Sequence, residues 1–274
     1  MHTCYALRIA NKKTTFNFTY KNVIEIFILS LVQGITEFLP ISSSSHLILI
    51  SDKLNFKNQA LSIDVSLHIG SFFAVIFYFR KDVINFFENK ILFLKVLISS
   101  IPVMVVGYFL VELKIIEQIR NIEVIAWTTL IFGALLYYSD QFKLDKTIKK
   151  NLTYKSILFI GFLHVFSLIP GVSRSGIAIT AARFLNFKRV DSAKISFLLS
   201  IPILAAVSIF GVKNIIISSS YNFTKTNLIA IILAFLFSLV TIKFFLDFIK
   251  KFDLKFFVYY RVLLGVVLLA FAYL

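Results

Sequence analysis

Long apolar stretches, separated by short segments with charged residues, make up most of the chain. A helix needs about 20 mostly apolar residues to cross the hydrocarbon core of a bilayer. Six stretches are expected to be spanning helices: roughly 60–79, 91–111, 122–138, 191–212, 227–248 and 257–274. The pattern therefore predicts an all-α polytopic membrane protein, with residues 23–274 as a single membrane domain.

Two further apolar stretches, 23–52 and 155–186, are interrupted by polar residues in the middle, from Gln33 to His46 and from Pro170 to Gly176. Each stretch has about 30 residues, which is too long for one crossing and too short for two. Proline and consecutive serines break a helix, and broken backbone at membrane depth must be buried in protein or line a wet cavity. We therefore predict two re-entrant helical hairpins, each made of two half-helices.

The two interruptions resemble each other. With Pro40 aligned to Pro170, Ser43-Ser44-Ser45 falls over Ser173-Arg174-Ser175, and further on Leu54-Asn55-Phe56 falls one position from Leu185-Asn186-Phe187. Each interrupted stretch precedes three predicted spans, so the half at about 155–274 is inverted relative to the half at about 23–138. Inverted repeats with broken helices place a binding site near the midplane, where the halves meet.

Composition agrees with lipid as the main solvent of this chain. Hydrophobic residues are 58% of the total, charged residues only 16%, and the mean hydropathy is +0.86, whereas about a quarter of the residues of a soluble domain are charged. A net charge of +15 would indicate nucleic acid as the partner of a soluble protein. Here the basic residues lie in short loops, where they set topology and face anionic lipid, so we expect membrane lipid and no nucleic acid.

Lys and Arg are unevenly distributed between the two sets of loops. Loops 80–90, 139–155, 187–194 and 249–256 carry fourteen of them, and the opposite loops carry six. The positive-inside rule places the fourteen-charge side in the cytoplasm. Both termini are then outside, with the first hairpin entering from the outer face and the second from the cytoplasmic face.

Residues 1–22 lack the apolar core and cleavage site of a signal peptide and are predicted to be an N-terminal extension.

Ionisable side chains at membrane depth are costly and mark functional sites, and Glu37, His46 and Arg174 all fall at hairpin centres. Gln33 lies four residues before Glu37, hence on the same helix face. Beyond Pro40, Ser42 or Ser43 is a suitable N-cap for the second half-helix.

Each hairpin then offers a helix N-terminus, which binds anions through its free N–H groups and its dipole. Arg174, between Ser173 and Ser175, adds a guanidinium whose geometry matches phosphate oxygens. The carboxylate of Glu37 can hold Mg²⁺ or Ca²⁺, and the imidazole of His46 can move a proton. These are the groups that phosphoryl transfer requires, although an anion transporter needs similar ones.

Other polar residues in the apolar stretches have simpler explanations. His68 and His164 are expected to pack or to form hydrogen bonds within the helical bundle. Lys243 and Arg261 lie near the ends of predicted spans and are expected to extend toward water.

At the two interruptions the sequence resembles the undecaprenyl-diphosphate phosphatase family, the membrane enzymes linked to bacitracin resistance. Residues 33–46, Gln33-Gly-Ile-Thr-Glu37 and then a serine run ending in His46, are similar to the family's first motif, and residues 170–176 are similar to its second. The resemblance covers nearly the whole chain from about residue 23. Ser45 stands where the first motif usually has glycine, so local geometry is expected to shift if that glycine supplies a positive φ or a close approach.

The resemblance implies hydrolysis of undecaprenyl diphosphate to undecaprenyl phosphate and inorganic phosphate, which recycles the lipid carrier of peptidoglycan synthesis and confers bacitracin resistance. It also implies a bacterial plasma (inner) membrane location, an outward-facing site and a divalent cation, Mg²⁺ or Ca²⁺. The number of subunits stays open, a homodimer included. By motif position the catalytic residues are Glu37, Ser43, His46 and Arg174, with Glu37 also the metal ligand, and the substrate contacts are Gln33, Ser42, Ser173 and Ser175.

Two mechanisms stay open at this point. Ser43 attacks the terminal phosphorus with His46 as general base, or His46 activates a water molecule and Ser43 only positions the substrate. The alternative function is a transporter or flippase of a phosphorylated lipid carrier, because inverted repeats around a midplane site are transporter architecture. A histidine and a hydroxyl beside an anion clamp favour an enzyme, since transport needs no nucleophile.

Overall fold

The computed structural model describes residues 20–53, 61–88, 90–217 and 225–273. In these ranges the α-helices are α1 (Tyr20–Thr36), α2 (Ser43–Lys53), α3 (Leu61–Tyr78), α4 (Arg80–Glu88), α5 (Lys90–Glu112), α6 (Ile115–Ile119), α7 (Ile122–Asp140), α8 (Ile148–Asn151), α9 (Tyr154–His164), α10 (Arg174–Phe184), α11 (Arg189–Ile217), α12 (Lys225–Lys251) and α13 (Lys255–Tyr273). A 3-10 helix, Val165–Leu168, follows α9. Most of the predicted N-terminal extension, residues 1–19, lies outside the described residues.

The six predicted spans coincide with α3, α5, α7, α11, α12 and α13. Apart from α3, whose apolar part is Ser62–Tyr78, these helices are long and apolar enough to cross a membrane. The chain is therefore an all-α, multi-pass membrane protein, as predicted. The exact layout of six spans and two re-entrant hairpins stays a prediction, because α3 falls short of the length expected of a full crossing.

The outer helices expose apolar side chains that only lipid can cover. Val240 of α12 is 68% exposed, and Leu263 and Phe271 of α13 are 66% and 64% exposed. Contiguous apolar surface of this kind is rare on soluble proteins and marks a membrane-facing surface. The opposite holds for α10, in which all residues from Ser175 to Arg183 are buried.

The interrupted stretches form pairs of short helices. The helices α2, α9 and α10 have 11 residues each, which corresponds to about 16 Å at 1.5 Å per residue and thus to about half of the hydrocarbon core. Helix α10 packs against α7, α9 and α11. The broken backbone is thus enclosed by protein, which is the condition for irregular backbone at membrane depth.

The backbone of the two breaks repeats, but in a register that differs by one residue from the predicted alignment. Ser42 and Ser173 have φ values of 73° and 72°, and each directly precedes the second helix of its hairpin. Ser42 therefore corresponds to Ser173, and the prediction that Ser43 does so was wrong. The physical reason is one additional residue in the second break, where Gly171 takes a φ of 93° that favours glycine.

The first helices of the hairpins repeat the same packing. Gly34 of α1 lies against Ser238 of α12, and Gly161 of α9 lies against Ser99 of α5. A β-carbon on Gly161 would lie 2.5 Å from the Ser99 carbonyl oxygen, and one on Gly34 would lie 3.0 Å from the Ser238 backbone nitrogen. The first helix of each hairpin thus packs through a glycine on the second long helix of the other half, α12 for α1 and α5 for α9.

A buried ion cluster fixes the far end of α10. Asp140, at the end of α7, accepts hydrogen bonds from Arg183 at 3.3 Å and from Arg189 at 2.8 Å. Its second oxygen accepts from the backbone N–H of Leu254, in the turn between α12 and α13, at 3.1 Å. Because a buried charge needs paired hydrogen-bond donors, this cluster holds α7, α10, α11 and that turn in one arrangement.

Candidate active site

The carboxylate of Glu37 lies at the centre of the site, directly after α1. Its side chain is 1% exposed. One oxygen, Oε2, accepts from Ser43 Oγ at 2.6 Å and from Gln33 Nε2 at 3.1 Å. The other oxygen, Oε1, pairs with the guanidinium of Arg174. A buried carboxylate is tolerated only when it is neutralised and hydrogen-bonded, and Arg174 of the second hairpin supplies that neutralisation.

Two helix N-termini meet at this carboxylate. Ser43 is the first residue of α2, and Arg174 is the first residue of α10. Both side chains are only partly buried, so an incoming anion can reach a hydroxyl and a guanidinium at one place. The structure thus brings together three of the four predicted catalytic residues, and it does so across the two hairpins.

The serines that flank these residues shape the breaks themselves. Ser173 Oγ caps α10 by accepting from the Gly176 N–H at 3.1 Å and also contacts Ser175 Oγ at 3.2 Å. Ser175 Oγ donates to the carbonyl of Leu39, in the other hairpin, at 2.7 Å. Ser42 Oγ lies 2.8 Å from Ser45 Oγ. Ser42, Ser173 and Ser175 are at most 5% exposed, so their role as substrate contacts stays a prediction.

Ser45, at the usual glycine position, causes no break in α2. Its backbone is helical, and the positive φ of this hairpin is at Ser42 instead. Its side chain is fully buried. The hydroxyl of Ser45 satisfies that of Ser42, so serine fits here without a shift of the helix.

The imidazole of His46 has different partners from the Ser43 hydroxyl. His46 Nδ1 lies 2.6 Å from the Ser42 carbonyl oxygen, and Nε2 lies 2.5 Å from the hydroxyl of Tyr260 in α13. Because a carbonyl only accepts, Nδ1 carries the proton and Nε2 accepts from Tyr260. His46 as the general base of Ser43 therefore stays a prediction, whereas the Ser43 hydroxyl donates to Glu37.

His68 of α3 completes the network around Glu37. Its Nδ1 lies 3.1 Å from Gln33 Nε2 and 3.9 Å from Glu37 Oε1, so its expected hydrogen-bonding role is confirmed. Gln33 donates to both Glu37 and His68. Its carbonyl oxygen Oε1 is buried and has no hydrogen-bond partner in the described part of the chain.

Arg261 ties the two breaks together, and the prediction that it extends toward water was wrong. It is fully buried. Its guanidinium donates to the carbonyls of Pro40 in the first break at 3.2 Å, of Val172 and Gly171 in the second break at 3.0 and 2.9 Å, and of Thr129 in α7 at 3.1 Å. The carbonyls of Pro40, Gly171 and Val172 lie in the non-helical breaks and have no helical partners, and an arginine with five N–H groups can satisfy several at once. Lys243, in contrast, is exposed.

Sequence reasoning missed Tyr260 and Arg261 as parts of the site. Arg261 is the seventh residue of α13, about two turns from the helix end, and this depth was the signal that it has a buried partner. Tyr260 carried no comparable signal, because tyrosine is common in membrane helices near the interface.

Taken together, the side chains form a buried carboxylate with a hydroxyl, a guanidinium and an imidazole around it. Among the described residues no group of three or more His, Cys, Asp or Glu side chains is arranged to hold a metal ion. The arrangement can bind an anion at two helix N-termini and can remove a proton from the hydroxyl beside it. These are the requirements for transfer of a phosphoryl group.

Comparison with known proteins agrees with this chemistry. Residues 26–267 match the family model described as bacitracin resistance protein BacA. An undecaprenyl-diphosphatase of Pelagibacter ubique (strain HTCC1062) is 49% identical over 255 residues, which is 93% of this chain and 99% of the relative. Undecaprenyl-diphosphatases of Jannaschia sp. (strain CCS1) and Saccharophagus degradans are 40% and 38% identical, over 90% and 91% of this chain and 98% of each relative.

Proposed function

This chain belongs to the bacitracin resistance protein BacA family, and from that membership we propose that it hydrolyses undecaprenyl diphosphate to undecaprenyl phosphate and inorganic phosphate. The relatives named undecaprenyl-diphosphatase match almost the full length of this chain. The product lipid would serve again as the carrier in peptidoglycan synthesis, and its regeneration would confer resistance to bacitracin.

The contacts of Ser43 in this chain support the proposal. The hydroxyl of Ser43 donates at 2.6 Å to the Glu37 carboxylate, which in turn pairs with Arg174 from the opposite hairpin. A hydroxyl, its proton acceptor and a guanidinium suited to phosphate thus lie together where the N-termini of α2 and α10 meet. A transporter needs the guanidinium to bind its anion, but it does not need a hydroxyl beside a proton acceptor.

In the proposed first step, Ser43 Oγ attacks the terminal phosphorus and its proton passes to Glu37. The bond from that phosphorus to the bridging oxygen breaks, and undecaprenyl phosphate leaves. Arg174 and the N–H groups at the start of α2 and α10 stabilise the charge on the transferred phosphoryl oxygens.

In the second step, a water molecule attacks the phosphoserine and gives its proton to the Tyr260 hydroxyl, which passes its own proton to His46 Nε2; His46 then releases that proton to water. The bond between phosphorus and Ser43 Oγ breaks, Glu37 returns the proton to that oxygen, and inorganic phosphate leaves. Tyr260, 2.5 Å from His46 Nε2, orients the ring for this role. Direct attack by a water molecule that His46 activates, with Ser43 only positioning the substrate, is the alternative route.

A divalent cation, Mg²⁺ or Ca²⁺, fits the first hairpin. The unpartnered, buried Oε1 of Gln33 lies on the same helix face as Glu37, and amide and carboxylate oxygens are ligands that both ions accept. Gln33 and Glu37 would hold the ion together with water and diphosphate oxygens, as Mg²⁺ commonly binds in phosphate sites. When bound, the ion would neutralise negative charge on the diphosphate.

The proposed setting is the bacterial plasma (inner) membrane, with the site open to the outer face and both termini outside. The distribution of Lys and Arg between the loops supports this orientation. The diphosphate would enter from the outer leaflet, and the prenyl chain would stay in lipid or between the helices.

The test is release of inorganic phosphate from undecaprenyl diphosphate by the full chain in detergent, with and without a chelator and with Mg²⁺ or Ca²⁺ added back. A detergent micelle has no two compartments between which a flippase could move lipid, and a flippase cleaves no bond, so it would release no phosphate. We expect turnover that the chelator lowers and that Ser43→Ala and Glu37→Gln each lower at least about 10³-fold.

Acid quenching with a terminally labelled substrate separates the two routes. Labelled phosphoserine at Ser43 supports covalent transfer, and substantial turnover by Ser43→Ala supports direct attack by water. If the wild-type protein releases phosphate no faster than the Arg174→Ala variant, the proposed function itself is contradicted.

A further inference from the structure

A helix outside both hairpins contributes a side chain to the site, and the mechanism above gives that side chain no task. His68 lies in α3, with its Nδ1 3.1 Å from Gln33 Nε2 and 3.9 Å from Glu37 Oε1. Its side chain is 25% exposed, whereas the side chain of Glu37 is 1% exposed and Gln33 is fully buried. His68 therefore touches the buried centre of the site while remaining partly accessible itself.

The carboxylate of Glu37 fixes the orientation of the Gln33 amide. A carboxylate only accepts hydrogen bonds, so the group of Gln33 that lies 3.1 Å from Glu37 Oε2 is the NH₂ group and not the carbonyl oxygen. The same NH₂ group lies 3.1 Å from His68 Nδ1, which is therefore the unprotonated, accepting nitrogen of the ring. The two amide hydrogens of Gln33 thus have one acceptor each.

The oxygen that Gln33 holds is the one that takes the Ser43 proton in the proposed mechanism. Glu37 Oε2 accepts from Ser43 Oγ at 2.6 Å as well as from Gln33. A carboxylate oxygen offers two lone pairs, so the amide on one of them directs the Ser43 hydroxyl to the other. If the amide turned over, its carbonyl oxygen would face Oε2 and the two acceptors would repel each other. The placement of Gln33 therefore decides how Glu37 meets the Ser43 proton.

The second acceptor, His68 Nδ1, is what keeps the amide in this place. Without it, one N–H of the fully buried Gln33 would have no acceptor. A buried donor without a partner is costly, and nearly all such groups in native proteins have one. The amide would then move away from its present orientation to find another acceptor, and Glu37 would lose its hydrogen bond.

Packing on α12 joins α1 and α3 independently of this hydrogen bond. Gly34, next to Gln33, lies so close to α12 that a β-carbon there would be 3.0 Å from the Ser238 backbone nitrogen. Ser71, three residues after His68, lies 3.1 Å from Ser238 Oγ, measured from its own Oγ. One residue of α12 thus contacts both helices, so the bond between His68 and Gln33 is not needed to hold them together.

We propose that His68 is a positioning residue for the reaction: its Nδ1 holds the Gln33 amide, which in turn sets Glu37 Oε2 to accept the Ser43 proton. This inference rests on the proposed function. It adds α3 to the two hairpins as a third element of the active site.

The experiment compares wild type with His68→Asn, His68→Gln and His68→Leu. Asparagine places its amide where Nδ1 lies, glutamine places its amide where Nε2 lies, and leucine matches asparagine in size without a polar atom. Loss of one acceptor for a buried N–H corresponds to a fall of about 10-fold in kcat for undecaprenyl diphosphate in detergent. We expect this fall for His68→Leu and His68→Gln, and recovery of most of kcat in His68→Asn. Wild-type kcat in His68→Leu would overturn the inference, and so would recovery by Gln but not by Asn, because Nε2 would then be the working atom.

A double-mutant cycle distinguishes positioning from a structural role. If His68 acts through Gln33, adding His68→Leu to Gln33→Leu should leave kcat unchanged within a factor of about two. A structural role of His68 would persist in the Gln33→Leu background, so losses that multiply, together with a lowered thermal midpoint, would overturn the inference.

A further readout is taken from the resting protein and needs no turnover. In protein with ¹⁵N-labelled glutamine side chains, the Gln33 amide signal, identified by its loss in Gln33→Leu, should move in His68→Leu and return close to its wild-type position in His68→Asn. The same signal position in wild type and His68→Leu would overturn the inference. If wild type releases no phosphate from undecaprenyl diphosphate, the proposed function fails, and the amide signal alone decides whether His68 holds Gln33.

Discussion

The two hairpins share a backbone but carry different chemistry. In both, a serine with φ near 72° precedes the second helix and bonds to residues two and three positions later. At the next position the first hairpin has Ser43 and the second has Arg174, and the carboxylate that pairs with Arg174 belongs to Glu37, directly after α1 of the first hairpin. The carboxylate of the first hairpin therefore lies opposite the guanidinium of the second.

The difference extends to how each hairpin is held. The second helix of the second hairpin, α10, is enclosed by protein and fixed at its far end by the Asp140 cluster. In α2, by contrast, Ser44 is exposed and His46 is only partly buried, with Tyr260 as its partner. In the proposed mechanism, the enclosed hairpin binds phosphate through Arg174 and the more open one performs the proton transfers.

The largest effect is expected from Arg174→Ala, which removes the charge that the second hairpin contributes. Glu37 would remain buried without its ion-pair partner, and the phosphoryl oxygens would lose their guanidinium. Arginines in this role change phosphoryl-transfer rates by about 10³- to 10⁵-fold, so we expect kcat/KM to fall at least about 10³-fold. Arg174→Lys, which keeps the charge but not the fork, should recover only part of the loss. Near-normal kcat/KM in Arg174→Ala would show that the hairpins do not divide the chemistry as proposed.

Arg261→Met tests whether one buried side chain holds the two breaks together. It leaves the carbonyls of Pro40 and Val172 without their arginine donor and that of Gly171 with only the Thr129 hydroxyl at 3.5 Å, and each unsatisfied group destabilises by about 1–3 kcal/mol. At roughly 2–4 °C per kcal/mol, the thermal midpoint in detergent should fall by about 10 °C or more. Lys243→Met removes a cation from an exposed position of α12 and is the matched control. A midpoint for Arg261→Met equal to that of the control would contradict the clamp.

Tyr260→Phe tests the hydrogen bond between Tyr260 and His46. The second hairpin has no equivalent bond, because Ile177 occupies the position that corresponds to His46. The variant keeps the ring that packs beside His46 at a centroid distance of 5.7 Å and removes the hydroxyl on Nε2. We expect kcat to fall by about 10-fold and the pH profile of kcat to change, because the imidazole loses its hydrogen-bond donor. Stopped assays across pH 5 to 9 measure both. An unchanged profile with unchanged kcat would remove Tyr260 from the site.

The smallest effect concerns the two capping serines, which are a matched pair. Ser173→Ala removes an N-cap bond to the Gly176 N–H and should destabilise the protein by about 1 kcal/mol. Ser42→Ala removes a bond to the Ser45 hydroxyl rather than to a helical N–H, and the loss should be smaller. Thermal midpoints of both variants, measured side by side, give the comparison. A larger loss for Ser42→Ala would reverse the view that the second hairpin is the more strongly capped one.

Local properties of the chain determined the fold class and the position of the site. The apolar stretches predicted the long helices, because the cost of burying polar backbone in lipid leaves helix as the main solution for a single stretch. Proline and serine runs predicted the breaks, and the cost of charge at membrane depth marked Glu37, His46 and Arg174. These costs act on each residue separately, so they can be read from the sequence.

Only the tertiary structure decided which of these residues are partners. His46 and Tyr260 are 214 residues apart and Glu37 and Arg174 are 137 apart, and no local pattern encodes which pairs meet when the two halves dock. The extra residue at Gly171 shifted the predicted register, since a single insertion changes which side chain begins a helix but hardly changes hydropathy. The role of Arg261 also depends on the tertiary structure, because the unpaired carbonyls to which its guanidinium donates come together only where the two broken hairpins meet.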